Sequence, residues 1–361
     1  MLCYLKYAVA GLTAATLVSG QTFSDCNPMK KTCPANIGTT ESRQTFDFTK
    51  SSSLDQWTTT SGNVKTGSSG AEFTVNKQGD APTIQTGFYI FFGEVSVTMK
   101  AAPGTGIVSS IVLESDDLDE IDWATVGGDT TQIETNYFGK GDTTTYDRAI
   151  WEPVSTPQET FHTYKVVWTK EGTTWSVDGE VIRTLSFNDA QSGTRYPQTP
   201  MNVRIGIWAG GDPSNAEGTI QWAGGATDYS KSPFTMYIKD VTIVNYNPAE
   251  SYTWSDQTGS YESIKSTGST NSTSPTPSKT TSASRSVFIS CSSVLAISNS
   301  PESSGSPITA SLTGTPSSSS LVSSHPSSPS AFPVFNTASN LTAGGLGFMS
   351  FLAIVSGFLF L

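Results

Sequence analysis

The feature that most constrains the fold is a recurrence of short period-two segments between turn residues, running from about Arg43 to Tyr246. Val95, Val97 and Met99 alternate with Ser96, Thr98 and Lys100. Tyr164, Val166 and Trp168 alternate with Lys165, Val167 and Thr169. Val203, Ile205 and Ile207 alternate with Arg204, Gly206 and Trp208, and Tyr237, Lys239 and Val241 alternate with Ile238, Asp240 and Thr242. Successive side chains of a strand point to opposite faces, so each segment reads as a strand with one apolar side. Trp175 to Val181 carries Asp178-Gly179 at its centre and reads as a hairpin. No stretch of a dozen residues between the two chain ends has helical periodicity. Many short strands with regular turns predict an all-β sandwich or jelly roll.

The two ends of the chain are built differently. Lys6 followed by the apolar run Ala8 to Val18 and the small residues Val18-Ser19-Gly20 reads as a secretory signal over 1–20, with the mature chain starting near Gln21. The folded region is expected over 21–255. Ser, Thr and Pro then dominate 256–335, a composition that cannot bury enough apolar surface to fold and reads as a disordered, O-glycosylated stalk. Asn271-Ser272-Thr273 is a glycosylation sequon, as is Asn340-Leu341-Thr342. The last segment, 336–361, combines small residues, a short spacer and a terminal apolar run. This is the pattern of a glycosylphosphatidylinositol attachment signal, with Asn336 the attachment residue expected and Ser339 and Asn340 its close competitors. The reading is of a secreted protein held at the plasma membrane or wall by a lipid anchor.

The formal net charge is −11, and no basic stripe is present to neutralise phosphates, so nucleic acid is excluded as a partner. Cys26 and Cys33 are expected to pair across a short loop in an exported chain, leaving Cys291 over. With only His162 and His325 in the sequence, neither a metal nor a cofactor is expected.

The chemistry concentrates in Asp119-Glu120-Ile121-Asp122-Trp123-Ala124. As a strand it puts Glu120, Asp122 and Ala124 on one face and Ile121 and Trp123 on the other. Two carboxylates side by side on such a face suit glycoside hydrolysis, where one attacks the anomeric carbon and a second carboxyl group protonates the leaving oxygen. The next strand should point Ile133 inward and Gln132, Glu134 and Asn136 toward the same cleft. Trp123, Trp168 and Trp175 are assigned to the core, and Asp116 and Asp117 to a solvated loop. In Gly218-Thr219-Ile220-Gln221-Trp222, alternation places Thr219 and Gln221 on one face.

Glu120-Ile121-Asp122-Trp123, with Glu114-Ser115-Asp116-Asp117 before it and Thr135-Asn136-Tyr137-Phe138-Gly139 after it, resembles the active-site region of glycoside hydrolase family 16. The resemblance is to the fungal Crh transglycosylases, which join chitin to β-glucan. It implies a β-jelly roll with a cleft across its concave sheet. It also implies a retaining mechanism in which Glu120 is the nucleophile and Asp122 its helper, and chitin held by Arg204, Trp208 and Thr219. In that family the strand reads Glu-x-Asp-x-Glu, whereas the third position here is Ala124, which carries no proton. The triplet that reads Gln-Thr-Asn in the family is here Glu134-Thr135-Asn136, which makes Glu134 a candidate acid/base substitute. Two readings follow: an anchored wall transglycosylase, or a chitin- or glucan-binding wall protein of the same fold without turnover.

Overall fold

The computed structural model describes residues 23–268. The signal segment, Asn271, Cys291, Asn336 and the tail to Leu361 lie outside the described residues. In chain order the strands are β1 (Asn36–Ile37), β2 (Arg43–Asp47), β3 (Trp57–Ser61), β4 (Lys65–Gly67), β5 (Gly70–Val75) and β6 (Thr83–Thr86). Then come β7 (Gly93–Lys100), β8 (Ile107–Ser115), β9 (Glu120–Val126), β10 (Gln132–Phe138), β11 (Ile150–Pro153) and β12 (His162–Trp168). They are followed by β13 (Gly172–Val177), β14 (Glu180–Ser186), β15 (Met201–Ala209), β16 (Phe234–Asn245), β17 (Ser251–Trp254) and β18 (Ile264–Thr267). Among the described residues the one α-helix, α1, spans Glu217–Trp222.

These strands form a jelly-roll sandwich. One sheet has the order β11-β10-β9-β8-β15-β6-β3, and the facing sheet β14-β13-β12-β7-β16-β5-β4, with β2 added on β16. The alternating residues meet between them. Ile111, Ile121, Trp123, Val203, Ile205 and Ile207 from the first sheet pack on Val95, Val97, Met99, Tyr164, Val166 and Trp168 from the second. The Trp123 and Tyr164 rings meet edge to face across the layer, 5.4 Å apart. Burial of such side chains, at about 1.5–3 kcal/mol each, is the main force holding the layers together. At the β13–β14 turn Asp178 and Gly179 both take positive φ, 51° and 90°, as a tight hairpin turn requires.

The structure departs from the expected pattern in three places. In β16 the register shifts between Ile238 and Asp240, so the buried set changes from Phe234, Met236 and Ile238 to Val241 and Ile243. A bulge inserts one residue and flips the alternation, so Lys239 and Asp240 both stay out of the core and Val241 turns inward. The fold also continues past 255. β18 pairs with β17, Ile264 is buried, and Tyr261 packs against the main core. Ile264 and Tyr261 supply the apolar surface that the surrounding Ser-rich composition conceals. Third, Asp117 is fully buried rather than solvated, and Asp116 accepts hydrogen bonds from Asn36 and the Tyr89 hydroxyl, both at 2.7 Å. Cys26 and Cys33 are disulfide-bonded, with Cα atoms 5.8 Å apart.

Candidate active site

β9 runs between β8 and β10, and the register aligns their outward residues. Opposite Glu120, Asp122 and Ala124 on β10 lie Phe138, Asn136 and Glu134. On β8 their partners are Glu114, Val112 and Ser110. These side chains share the outer face of the seven-stranded sheet, because paired residues point the same way. A cavity there is lined by Glu120, Asp122, Ala124, Glu134, Asn136 and Phe138, with Val108, Ser110 and Val112 from β8. Trp208 and Trp222 close one side. The sequence-derived Glu120, Asp122, Glu134, Asn136 and Trp208 are therefore brought together. Asn136 also accepts the Tyr137 N–H at 2.9 Å, which fixes its amide.

Arg204 lies on the same face but is buried and committed. It forms an ion pair with Glu114, donates to Asn202 Oδ1 at 3.0 Å and to the Phe23 carbonyl at 3.2 Å, and stacks 4.3 Å over the Phe23 ring. Its guanidinium is thus held against Glu114, the β8 residue opposite Glu120.

Thr219 is a second correction. Residues 217–222 are helical, so Thr219 is buried, Gln221 is exposed, and neither lines the cavity. In a helix, residues two apart do not share a face. The helix delivers Trp222 instead, a residue that strand alternation does not single out. Six residues are too few to show a helical period, and the available sign was the Gly224-Gly225 pair after it, both at positive φ, 87° and 121°. The Trp222 ring stacks on Trp208 at 6.1 Å, and its indole N–H donates to Glu134 Oε2 at 2.7 Å. Ala124 sits in an apolar cluster with Val108, Trp208 and Ala223, and Trp222 packs on that cluster.

The electrostatics of the site are dominated by withdrawal from water. Burial, and then the neighbouring Glu114 charge, pushes the Glu120 carboxyl up to about 8, while a hydrogen bond from Asp122 works in the opposite direction. Asp122 is raised well above the ordinary carboxyl range by burial and by the adjacent Glu120. The bond lowers Glu120 and raises Asp122, so of the two carboxyls it favours ionisation of Glu120. Burial, and then the neighbouring Asp122 carboxyl group, push Glu134 up to about 8 against the opposing Trp222 N–H. An ionised carboxylate bonded to a protonated one can act as a nucleophile whose charge the partner tunes. No group of three His, Cys, Asp or Glu side chains suited to a metal ion occurs among the described residues.

The segment before Glu120 is braced from below. Asp119 is fully buried. It receives the Lys140 ammonium at 3.0 Å, the backbone N–H groups of Lys140 and Gln198 at 2.9 and 2.7 Å, and the Thr199 hydroxyl at 2.9 Å. Thr199 Oγ1 also lies 2.8 Å from Asp117. Together these fix where β9 begins and hence where Glu120 stands.

Residues 52–224 match the family described as Glycosyl hydrolases family 16. Crh-like protein 5 of Aspergillus fumigatus is 66% identical over 267 residues, covering 74% of this chain and 68% of that protein. Crh-like protein 1 of the same fungus is 64% identical over 256 residues, covering 71% and 70%. A solved structure of a Crh5 transglycosylase in complex with NAG is 68% identical and superposes with a TM-score of 0.66, covering 67% of this chain and 99% of that one. The chain belongs to glycosyl hydrolases family 16, among its Crh-like proteins.

Proposed function

We propose that this protein is a cell-wall glycosidase and transglycosylase that cleaves chitin and joins the released end to β-glucan with retention of configuration. The observation that carries the reading is the pair on β9, Glu120 with Asp122 hydrogen-bonded to it, in a cavity walled by stacked Trp208 and Trp222. Glu120 attacks the anomeric carbon of a β-1,4-linked N-acetylglucosamine chain and forms a glycosyl-enzyme. Asp122 holds and tunes the nucleophile. Trp208 and Trp222 offer apolar faces to sugar rings and Asn136 a polar contact. A sugar hydroxyl of the acceptor then resolves the intermediate, and the walled cavity disfavours water as a competitor.

The sequence outside 23–268 supports a surface location: a signal, a Ser/Thr-rich stalk and a glycosylphosphatidylinositol signal with attachment at Asn336. The protein then sits at the outer leaflet or in the wall. Release from membranes by a phosphatidylinositol-specific phospholipase is the expected result. Recovery of Leu361 in the mature chain contradicts it.

The apolar cluster around Ala124 favours one second reading, a wall-binding protein that no longer turns over. Incubating the secreted domain with a chitin oligosaccharide and a labelled β-glucan oligosaccharide separates the two. Joined product is expected; binding of both sugars without it sinks the transglycosylase.

A further inference from the structure

Retaining chemistry needs a group that first gives a proton to the leaving oxygen and then takes one from the acceptor. Ala124 cannot do this, and Asp122 is engaged with the nucleophile. A third carboxyl group opens into the same cavity, that of Glu134. It comes from β10 and stands directly opposite Ala124, in the row two residues beyond the Asn136–Asp122 pair. Directly opposed residues have Cβ atoms about 4.5–5.5 Å apart. Glu134 therefore starts beside Ala124 and extends to Trp222, which packs on the cluster that contains Ala124.

We propose that Glu134 is the proton donor and acceptor of this site, positioned by the Trp222 indole. This rests on the reading of the chain as a retaining transglycosylase. In the first step a Glu120 oxygen bonds the anomeric carbon, and the glycosidic C–O bond breaks. Its electron pair stays on the leaving oxygen, which takes the proton of the Glu134 carboxyl group. Glu134 is left as carboxylate. In the second step the acceptor oxygen bonds the anomeric carbon, its proton passes to Glu134, and the Glu120 carboxylate is released. Both groups end as they began.

The surroundings of Glu134 suit that cycle better than a structural role. Its side chain is 2% exposed, yet it faces the cavity rather than the core. Burial and the nearby Asp122 keep it protonated near neutrality, the state in which an acid must begin. The neutral indole N–H holds the carboxyl in one orientation in either protonation state. It also stabilises the carboxylate that the second step requires. The stack of Trp222 on Trp208 fixes the indole in turn.

The test compares donors that do and do not need an acid. Full-length secreted protein and its Glu134→Gln variant are assayed with chitotetraose and with chitobiosyl fluoride, whose fluoride leaves without a proton. Expected is a loss of transfer from chitotetraose of about 10²–10⁴-fold, with a glycosyl-enzyme still detected by intact mass from the fluoride. Azide, which needs no base, should restore turnover of the variant as a β-glycosyl azide. The Trp222→Phe variant, which keeps an aromatic ring but loses the N–H, should shift the alkaline limb of the kcat/KM profile to higher pH. Loss of less than about tenfold in Glu134→Gln, or equal losses with both donors, overturns the assignment. If wild type forms no glycosyl-enzyme even from the fluoride while Glu134→Gln folds and binds chitotetraose, the transglycosylase reading itself fails and Glu134 has no proton to carry. A wild type that labels with the fluoride but transfers from chitotetraose only after Ala124→Glu overturns the role of Glu134 alone.

Discussion

Asp119 and Glu120 are neighbours in the chain, and they have opposite fates. Asp119 is buried in a complete shell made by the Lys140 ammonium, two backbone N–H groups and the Thr199 hydroxyl. Glu120 is turned to the other side of the sheet, where the nearest influences are other carboxyl groups, Glu114 and Asp122, only partly offset by Arg204 and Arg148. The first arrangement holds a charge in place; the second makes a charge costly to keep and therefore ready to react. A carboxylate surrounded by donors contributes to stability, whereas one surrounded by carboxyls draws on stability for function.

Substitution should separate the two. Glu120→Gln is expected to reduce transfer by at least about 10³-fold, while its urea midpoint stays equal or rises, since a neutral amide replaces a carboxyl whose ionisation burial and Glu114 oppose. Asp119→Asn should do the reverse. It leaves Lys140 without its carboxylate partner and should cost about 3–5 kcal/mol in urea unfolding, with activity per folded molecule much less affected. Equal loss of stability in both variants would erase the distinction.

The pH dependence of stability sharpens the comparison. Glu134 is raised from 4.5 to about 8, and Asp117 from 3.8 to about 7, each by burial and a neighbouring carboxyl group. Each holds its proton in the folded state at pH values where the unfolded chain has lost it. This contribution is fully present below the unfolded values and is lost as pH rises through the folded ones. The melting temperature should therefore fall by about 5 °C or more between pH 5 and pH 8.5. The fall should shrink in Glu134→Gln. A flat or rising curve over that range would contradict the raised carboxyls.

The smallest effect is expected at Thr219. Because α1 turns its side chain away from the cavity, Thr219→Ala should change transfer by less than about twofold. Loss of chitin binding in that variant would restore the strand-like reading of 218–222.

The sequence revealed those regions of the molecule that depend on local alternation. β9 was legible because period two assigns Ile121 and Trp123 inward and Glu120 and Asp122 outward, with no need for a partner. The β10 face followed from Ile133 by the same rule. What escaped depends on residues distant in the chain or on a single inserted residue. The burial of Asp117 is made tolerable in some measure by Thr199, 82 positions away. The bulge in β16 leaves no mark in the residue types around Lys239, and a six-residue helix is shorter than two turns of its own period. The commitment of Arg204 to Glu114 was equally hidden, because any of several acidic residues could have served.

The small sheet β1-β17-β18 has a mechanical meaning. Its last strand, four residues long, pairs with β17 alone and belongs to neither large sheet. Any pull entering the domain from its C-terminal side therefore meets β18 first. Its few hydrogen bonds can break in succession, as a zipper opens, before force reaches β8, β9 or β10. Were the domain tethered from that side, β18 would stand between the tether and the strands that carry Glu120 and Glu134, and it would yield before they did.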